Sequence, residues 1–261
     1  QFNDFWYQNK AEIATYELRQ ARYGEIRDGE AVLIFVTEHF DPEAQVKTDN
    51  EDNEGIPILK MNQMRNFVTG IYPYSIMTSA FTPVNLQENP HTIKTTFSAQ
   101  EWCGQVWQSM NLQGENYRFQ SHSYFEGEAD QQLQYQVIFL EDELFNRIRI
   151  SPEELPLGHF HVFPSAQFIR LMHIPAQPVK GHAIKETSTD TTGRTLVHYT
   201  LEMPSLERFI RVTFEADFPN TILKWEENYP DGFGDNRRKL STTAVLKEVV
   251  YNDYWNLNRS E

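Results

Sequence analysis

The chain is poor in several things at once. Of its 261 residues only one, Cys103, is a cysteine, so no intrachain disulfide can brace the fold. That leaves the compartment open: a cytosolic protein fits, and so does an exported one that folds without disulfides. Basic residues are scarce. Lys and Arg number 23 against 37 Asp and Glu, a net charge of −14, and no basic run stands out. Such a surface repels phosphates, so no nucleic-acid partner is expected. No apolar run reaches the roughly 18 residues that a membrane-spanning helix needs. There is no Walker A loop, no Gly-x-Gly-x-x-Gly and no Gly-x-Ser-x-Gly elbow. No cofactor is expected on these grounds. No repeat of 20–50 residues is present either. The chain opens at Gln1 without an initiator Met, which suggests either a trimmed chain or a mature product.

What is abundant is aromatic and β-branched. There are 18 Phe, 12 Tyr and 5 Trp. Residues Phe2, Phe5, Trp6 and Tyr7 suggest a short opening helix that docks by its rings. Asp28-Gly29 suits a two-residue hairpin turn. The continuous apolar run Ala31–Val36 then reads as a strand buried on both faces. Ile56–Val84 reads as two or three strands punctuated by Gly70, Pro73 and Pro83. Thr92–Phe97, Trp102–Trp107 and Tyr117–Phe125 read as successive antiparallel strands. One segment changes period: Val137, Leu140, Leu144, Phe145 and Ile148 sit at helical spacing. Ser151-Pro152-Glu153-Glu154 opens a single helical turn before Pro156 and Gly158 end it. Phe160, Val162 and Phe168–Leu171 look strand-like, as do Leu196–Leu201, Ile210–Phe214, Ile222–Glu227 and Lys239–Val250. A turn falls at Pro230-Asp231-Gly232. The expectation is a mainly β protein: about a dozen antiparallel strands in a curved sheet, barrel-like or sandwich, with one or two short helices. No stretch has linker composition, so residues 1–261 read as one domain, with a seam near 137–158 as the alternative boundary.

Four constellations bear chemistry. His159-Phe160-His161 on a strand would point two imidazoles to one face, as a transition metal requires, with His173, His182, Glu126 or Glu128 as the third ligand. Glu126 and Glu128 would share a face if the strand from Ser121 continues, and paired carboxylates can serve as acid and base. Against these stand the plain readings: an exposed strand face and a solvated turn. Asp49–Gly55 alternates oxygen ligands like a calcium loop, but its glycine falls at the seventh position and Lys60 stands where a bidentate Glu belongs. Cys103, between Trp102 and Gly104, reads as an inert thiol unless a base lies beside it. The aromatic excess is the broadest signal. Tyr72 with Tyr74, and Trp102 with Trp107, are candidates to line an apolar binding site; plain core packing is the competing reading.

Six segments then read together: Gln20–Glu25, Val36–Glu38, Thr69–Met77, Gln100–Gly104, Ser121–Asp130 and Asp231–Gly234. In this order, across about residues 6–255, the chain resembles a family of uncharacterised envelope lipoproteins from Bacteroidota. Some members carry the label "septum formation inhibitor Maf", but the chain lacks the Ser-Pro-Arg-Arg signature of true Maf nucleotide pyrophosphatases. The resemblance implies an outer-membrane lipoprotein, held by an acylated cysteine upstream of Gln1. It leaves open the periplasmic or surface face and supplies no catalytic residues. The leading expectation is therefore a non-enzymatic envelope lipoprotein, monomeric by itself. It would bind an apolar small molecule or an envelope partner, with Trp102, Trp107, Tyr72, Tyr74, Glu126 and Glu128 as ligand-binding candidates. The alternatives are a metal-assisted hydrolase built on His159 and His161, and a structural subunit of an envelope assembly.

Overall fold

The structure, a computed structural model, describes residues 1–49 and 55–259. Helix α1 (Phe2–Trp6) leads into strands β1 (Ala11–Arg22), β2 (Glu25–Asp41), the two-residue β3 (Val46–Lys47), β4 (Ile56–Thr69) and β5 (Tyr72–Pro83). Then come β6 (Lys94–Glu101), β7 (Gly104–Gln113), β8 (Asn116–Ser123), β9 (Gln131–Gln136) and β10 (Phe139–Leu140). A 3-10 turn at Glu141–Glu143 runs into helix α2 (Leu144–Ile150). Strand β11 (Gly158–Phe163) and helix α3 (Ala166–Met172) precede β12 (Val179–Thr189), β13 (Thr195–Met203), β14 (Arg208–Glu215), β15 (Ile222–Asp231) and β16 (Arg238–Asn252).

All these strands form one sheet. β16 pairs with β1, so the two ends of the chain meet in its middle. Its two edges are β9 and β10, which only Val137 and Ile138 separate along the chain. Edges that are neighbours in sequence must be neighbours in space, and the sheet therefore curls on itself. Side chains fill the seam: the Tyr135 and Phe119 rings lie 5.2 and 5.9 Å from Phe163. Every ladder is antiparallel except the short β10–β11 pair. Inward positions alternate along the strands, as in β6, where Thr95, Phe97 and Ala99 are buried between less buried neighbours.

Helices α2 and α3 lie inside. Asn146 of α2 donates to the carbonyls of Leu59 and Ala80 and to Thr82 Oγ1, at 2.9, 3.1 and 3.0 Å, which pins α2 to β4 and β5. Its neighbour Phe145 packs 5.2 Å from Trp225 on β15. Ser165 caps α3 by accepting from the Phe168 N–H. Phe168 meets Tyr229 at 5.3 Å. Between the helices and the wall lies a buried ionic cluster. Arg208 pairs with both oxygens of Glu141 at 2.6 Å and reaches Glu227 at 3.0 Å, and Arg65 meets Glu227 at 2.6 Å. A second buried pair, Arg149 with Glu12, carries the Tyr251 hydroxyl as an additional donor to Glu12. Two pockets among the core side chains measure about 10 and 20 Å³, room for about one water each.

The mainly β, curved antiparallel architecture matches the expectation, as do α1 and the single turn after Ser151; the turn expected at Pro230-Asp231-Gly232 falls later, at Gly232–Arg237, because Pro230 and Asp231 still pair with Lys239 and Arg238 of β16. Several local expectations are corrected. β2 runs straight through Asp28-Gly29, and the turn falls at Tyr23-Gly24, both at positive φ. Gly29 serves close approach instead: a Cβ there would stand 2.3 Å from the Asn66 carbonyl oxygen on β4. Ala31–Val36 buries Ala31, Leu33 and Phe35 fully while Val32 and Ile34 are half-buried, so one face dominates. Phe168–Leu171 is helical, capped by Ser165, because its apolar residues wrap an interior helix on all sides. The helical spacing from Val137 holds only from Glu141 onward. The calcium-like stretch Asp49–Gly55 lies largely outside the described residues.

Candidate binding rim

Five turns meet at one end of the barrel. The β1–β2 turn and the β15–β16 turn touch backbone to backbone: a Cβ on Gly24 or on Gly232 would stand 2.5 Å from the Asn236 carbonyl oxygen. Both glycines have positive φ, so both requirements exclude a side chain. The Gly24 N–H donates to Asp231 Oδ2 at 2.6 Å and locks the two turns together. This juxtaposition brings Tyr23 within 6.2 Å of Phe233.

Beneath them lies Arg22, buried at the end of β1. Its guanidinium donates to the Leu171 carbonyl at the end of α3, and its Nη2 donates to the Tyr23 and Tyr74 hydroxyls at 3.2 Å each. The two phenols share a further hydrogen bond of 2.8 Å. Tyr74 stacks on Phe67 at 4.8 Å, and Tyr72 bridges Tyr74 and Trp102, at 5.9 and 6.0 Å. Arg22 also lies over the Tyr23 ring at 4.1 Å. A buried guanidinium thus holds two tyrosines, Tyr23 and Tyr74, in fixed positions, and Tyr72 packs against the second of them.

The other half of the rim hangs on α3. Arg170 lies over Phe125 at 4.1 Å and reaches Glu101 at 3.4 Å and His173 Nε2 at 3.2 Å. His173 Nδ1 meets Glu128 Oε1 at 2.6 Å, and Ser123 Oγ donates to the other oxygen of Glu128 at 2.6 Å. Burial alone pushes the Glu128 carboxyl up, but His173, Ser123 and Arg170 together hold it below the usual carboxylate range. The hydrogen bond to Glu101 and its negative charge push the Cys103 thiol up, the reverse of an activated nucleophile.

Large apolar side chains project from this scaffold into solvent. Ile71 is 82 % exposed, Tyr124 78 %, Trp102 68 % and Phe233 59 %. Tyr124 packs against Gly104 next to the Trp102 turn, where a Cβ would meet its ring at about 3 Å. Scattered apolar residues are ordinary on a surface; several on neighbouring turns form a patch.

The structure therefore brings Tyr72, Tyr74, Trp102 and Glu128 to one place. Trp107 lies apart, half-exposed on the outer wall and stacked on His122 at 5.6 Å. Glu126 and Glu128 do not share a strand face, because β8 ends at Ser123 and both residues lie in the following turn. His159 and His161 are exposed on β11 as a pair on one face. His159 sits opposite His182, ring centroids 4.5 Å apart. Among the described residues, no group of three or more His, Cys, Asp or Glu side chains is placed to hold a metal ion. His173 serves the Glu128 pair. Sequence reading missed Arg22 and Arg170 as organisers; the available signal was a lone Arg inside the apolar run Phe168–Leu171. Of the segments Gln20–Glu25, Val36–Glu38, Thr69–Met77, Gln100–Gly104, Ser121–Asp130 and Asp231–Gly234, all but Val36–Glu38 reach this rim.

No family model and no curated protein matches the chain. Among solved structures it is similar to a β-barrel-like protein of domain of unknown function DUF1849 from Brucella abortus. The TM-score is 0.53 over 92 % of this chain and 97 % of that one, at 10 % identity. At that identity the likeness shows the fold alone. No helix among the described residues is long and apolar enough to cross a membrane.

Proposed function

We propose that this chain is a non-enzymatic binding protein of the cell envelope whose loop-end rim holds a partner protein. The observation that carries the reading is the patch itself: Ile71, Trp102, Tyr124 and Phe233 are presented to solvent on turns around the Arg22–Tyr74 contact and the close approaches at Gly24, Gly104 and Gly232. Rigid exposed aromatics are the usual anchors of protein interfaces, because they bring large contact area at little entropic cost. The core pockets, near 10 and 20 Å³, favour a partner at the surface over a small molecule carried inside. The polar groups at the rim also favour binding over catalysis. In a nucleophilic triad the imidazole stands between hydroxyl and carboxylate; here Glu128 stands between Ser123 and His173. The envelope location, and an acylated anchor upstream of Gln1, rest on the resemblance to Bacteroidota lipoproteins.

Affinity purification from the native envelope tests the reading. The unchanged chain is expected to retain a stoichiometric partner protein that the Trp102→Ala/Phe233→Ala double variant loses. Equal recovery by both chains overturns it.

A further inference from the structure

The seam of the barrel holds a second surface, remote in kind from the rim. Along it runs a groove of about 780 Å³, lined among others by Gln134, Tyr135, Gln136, Phe160 and His161 and floored by Arg147 of α2. Two strand edges border it. β9 pairs with β8 on one side only, and β11 pairs with β10 only at Val162 and Phe163. Among the described residues no strand covers the outer edge of β9 or that of Gly158–His161. Their outward N–H and C=O groups are thus left to solvent.

Edges of this kind are normally guarded by charge, proline or a bulge. Neither is guarded here. β9 reads Gln-Gln-Leu-Gln-Tyr-Gln, and Gly158–His161 reads Gly-His-Phe-His, without a Lys, Arg, Asp, Glu or Pro in either. The groove adds apolar wells beside these edges, where Phe139 and Phe160 meet edge to face at 5.8 Å. Backbone groups on the edge with side-chain pockets next to it are what strand addition uses: the ladder supplies affinity and the pockets read alternate side chains. A second copy of this chain is the poorer occupant, since each copy carries a net charge of −14.

We propose that the seam groove binds an extended segment of a different polypeptide, which pairs with the free edge of β9 and sets alternate side chains among Tyr135, Phe139 and Phe160. The surface is separate from the rim, and its test does not depend on the rim.

A phage-displayed library of linear decapeptides is selected on the full chain, and the hits are synthesised. Methylating alternate backbone nitrogens of a hit is expected to weaken binding about tenfold or more, because it deletes ladder donors without touching the protein. On the protein side, adjacent residues of an antiparallel strand point their backbone groups to opposite neighbours. Of Leu133→Pro and Gln134→Pro, one therefore removes a donor from the free edge and the other from the β8 ladder. The free-edge variant is expected to keep its thermal unfolding transition and lose peptide binding, while Trp102→Ala binds as before. The proposal is overturned if no peptide is selected, if N-methylated hits bind equally well, or if binding follows Trp102. A dimer of the chain that the proline abolishes also overturns it, in favour of a second copy.

Discussion

Replacing Glu227 by glutamine keeps the shape of the side chain and removes one charge from the buried cluster on β15. Four groups balance there: Arg65 and Arg208 against Glu141 and Glu227. Burial alone pushes the Glu227 carboxyl up, but the Arg65 and Arg208 guanidiniums hold it below the usual carboxylate range. In Glu227→Gln, Arg208 retains its two-pronged pair with Glu141. Arg65 does not fare as well: besides the neutral amide oxygen of the new side chain, its acceptors are Gln20 and Gln63, at 3.4 and 3.5 Å, and none carries a charge. A buried guanidinium left without its carboxylate costs about 3–5 kcal/mol. At the steep end of the usual urea dependence this moves the unfolding midpoint down by about 1–2 M. The decisive control is Arg65→Met/Glu227→Met, which deletes one charge of each sign and leaves Arg208 and Glu141 paired. It is expected to recover at least half of the loss, since apolar replacement of a whole buried pair is far milder than breaking it. Equilibrium urea unfolding followed by Trp fluorescence reads both. A double variant as unstable as the single one would refute charge imbalance as the cause.

Asp142 supplies a pH dependence of opposite sign to that of a paired acid. Burial, with a further push from Glu141, raises its carboxyl to about 7, despite the Ala166 N–H that donates to it. The folded state then binds more protons than the unfolded one between about pH 4 and 7, so this group makes stability fall as pH rises through that window, by at most about 4 kcal/mol. Asp142→Asn should flatten that part of a stability–pH curve and raise stability at pH 8; an unchanged slope would remove Asp142 as its source. Gly232→Ala should cost more than about 1 kcal/mol, because a Cβ must fit both a positive φ and the Asn236 carbonyl, and thermal unfolding measures it. Glu128→Gln should speed amide exchange across Tyr124–Asp130, since Glu128 ties that turn to Ser123 and His173; unchanged protection would mean that the turn is held by Arg170 on Phe125 instead.

Much of this fold was legible in residue pattern. Alternation in Ile210–Phe214 follows from the pleat, and Gly232, at positive φ, does open the β15–β16 turn, two residues later than Pro230 suggests. Gly29 shows where such reading stops. Asp-Gly is a turn signal by local chemistry, yet here the glycine lets β4 approach closely, a long-range demand that no local pattern reveals. Phe168–Leu171 misleads for a related reason: a helix surrounded by the barrel wall needs apolar residues on every side and loses its period. The same limit applies to the rim. Tyr72, Tyr74 and Trp102 stand out as aromatics in sequence. Arg22 and Arg170 do not, because what gives them their role is the stacking of β1 under α3, set by contacts far apart along the chain. His159 and His161 do share a strand face; the convergence of a third ligand is a tertiary property that spacing alone does not carry.

The account rests most heavily on the rim as the face that meets a partner. Site-specific photo-cross-linking in the native host tests it most directly, with a benzophenone amino acid placed at Trp102, at Phe233 and, as a wall control, at the exposed Ile184 of β12. The account predicts one discrete protein adduct from both rim positions and none from Ile184. Adducts of equal yield from all three positions, or none from the rim, would contradict it.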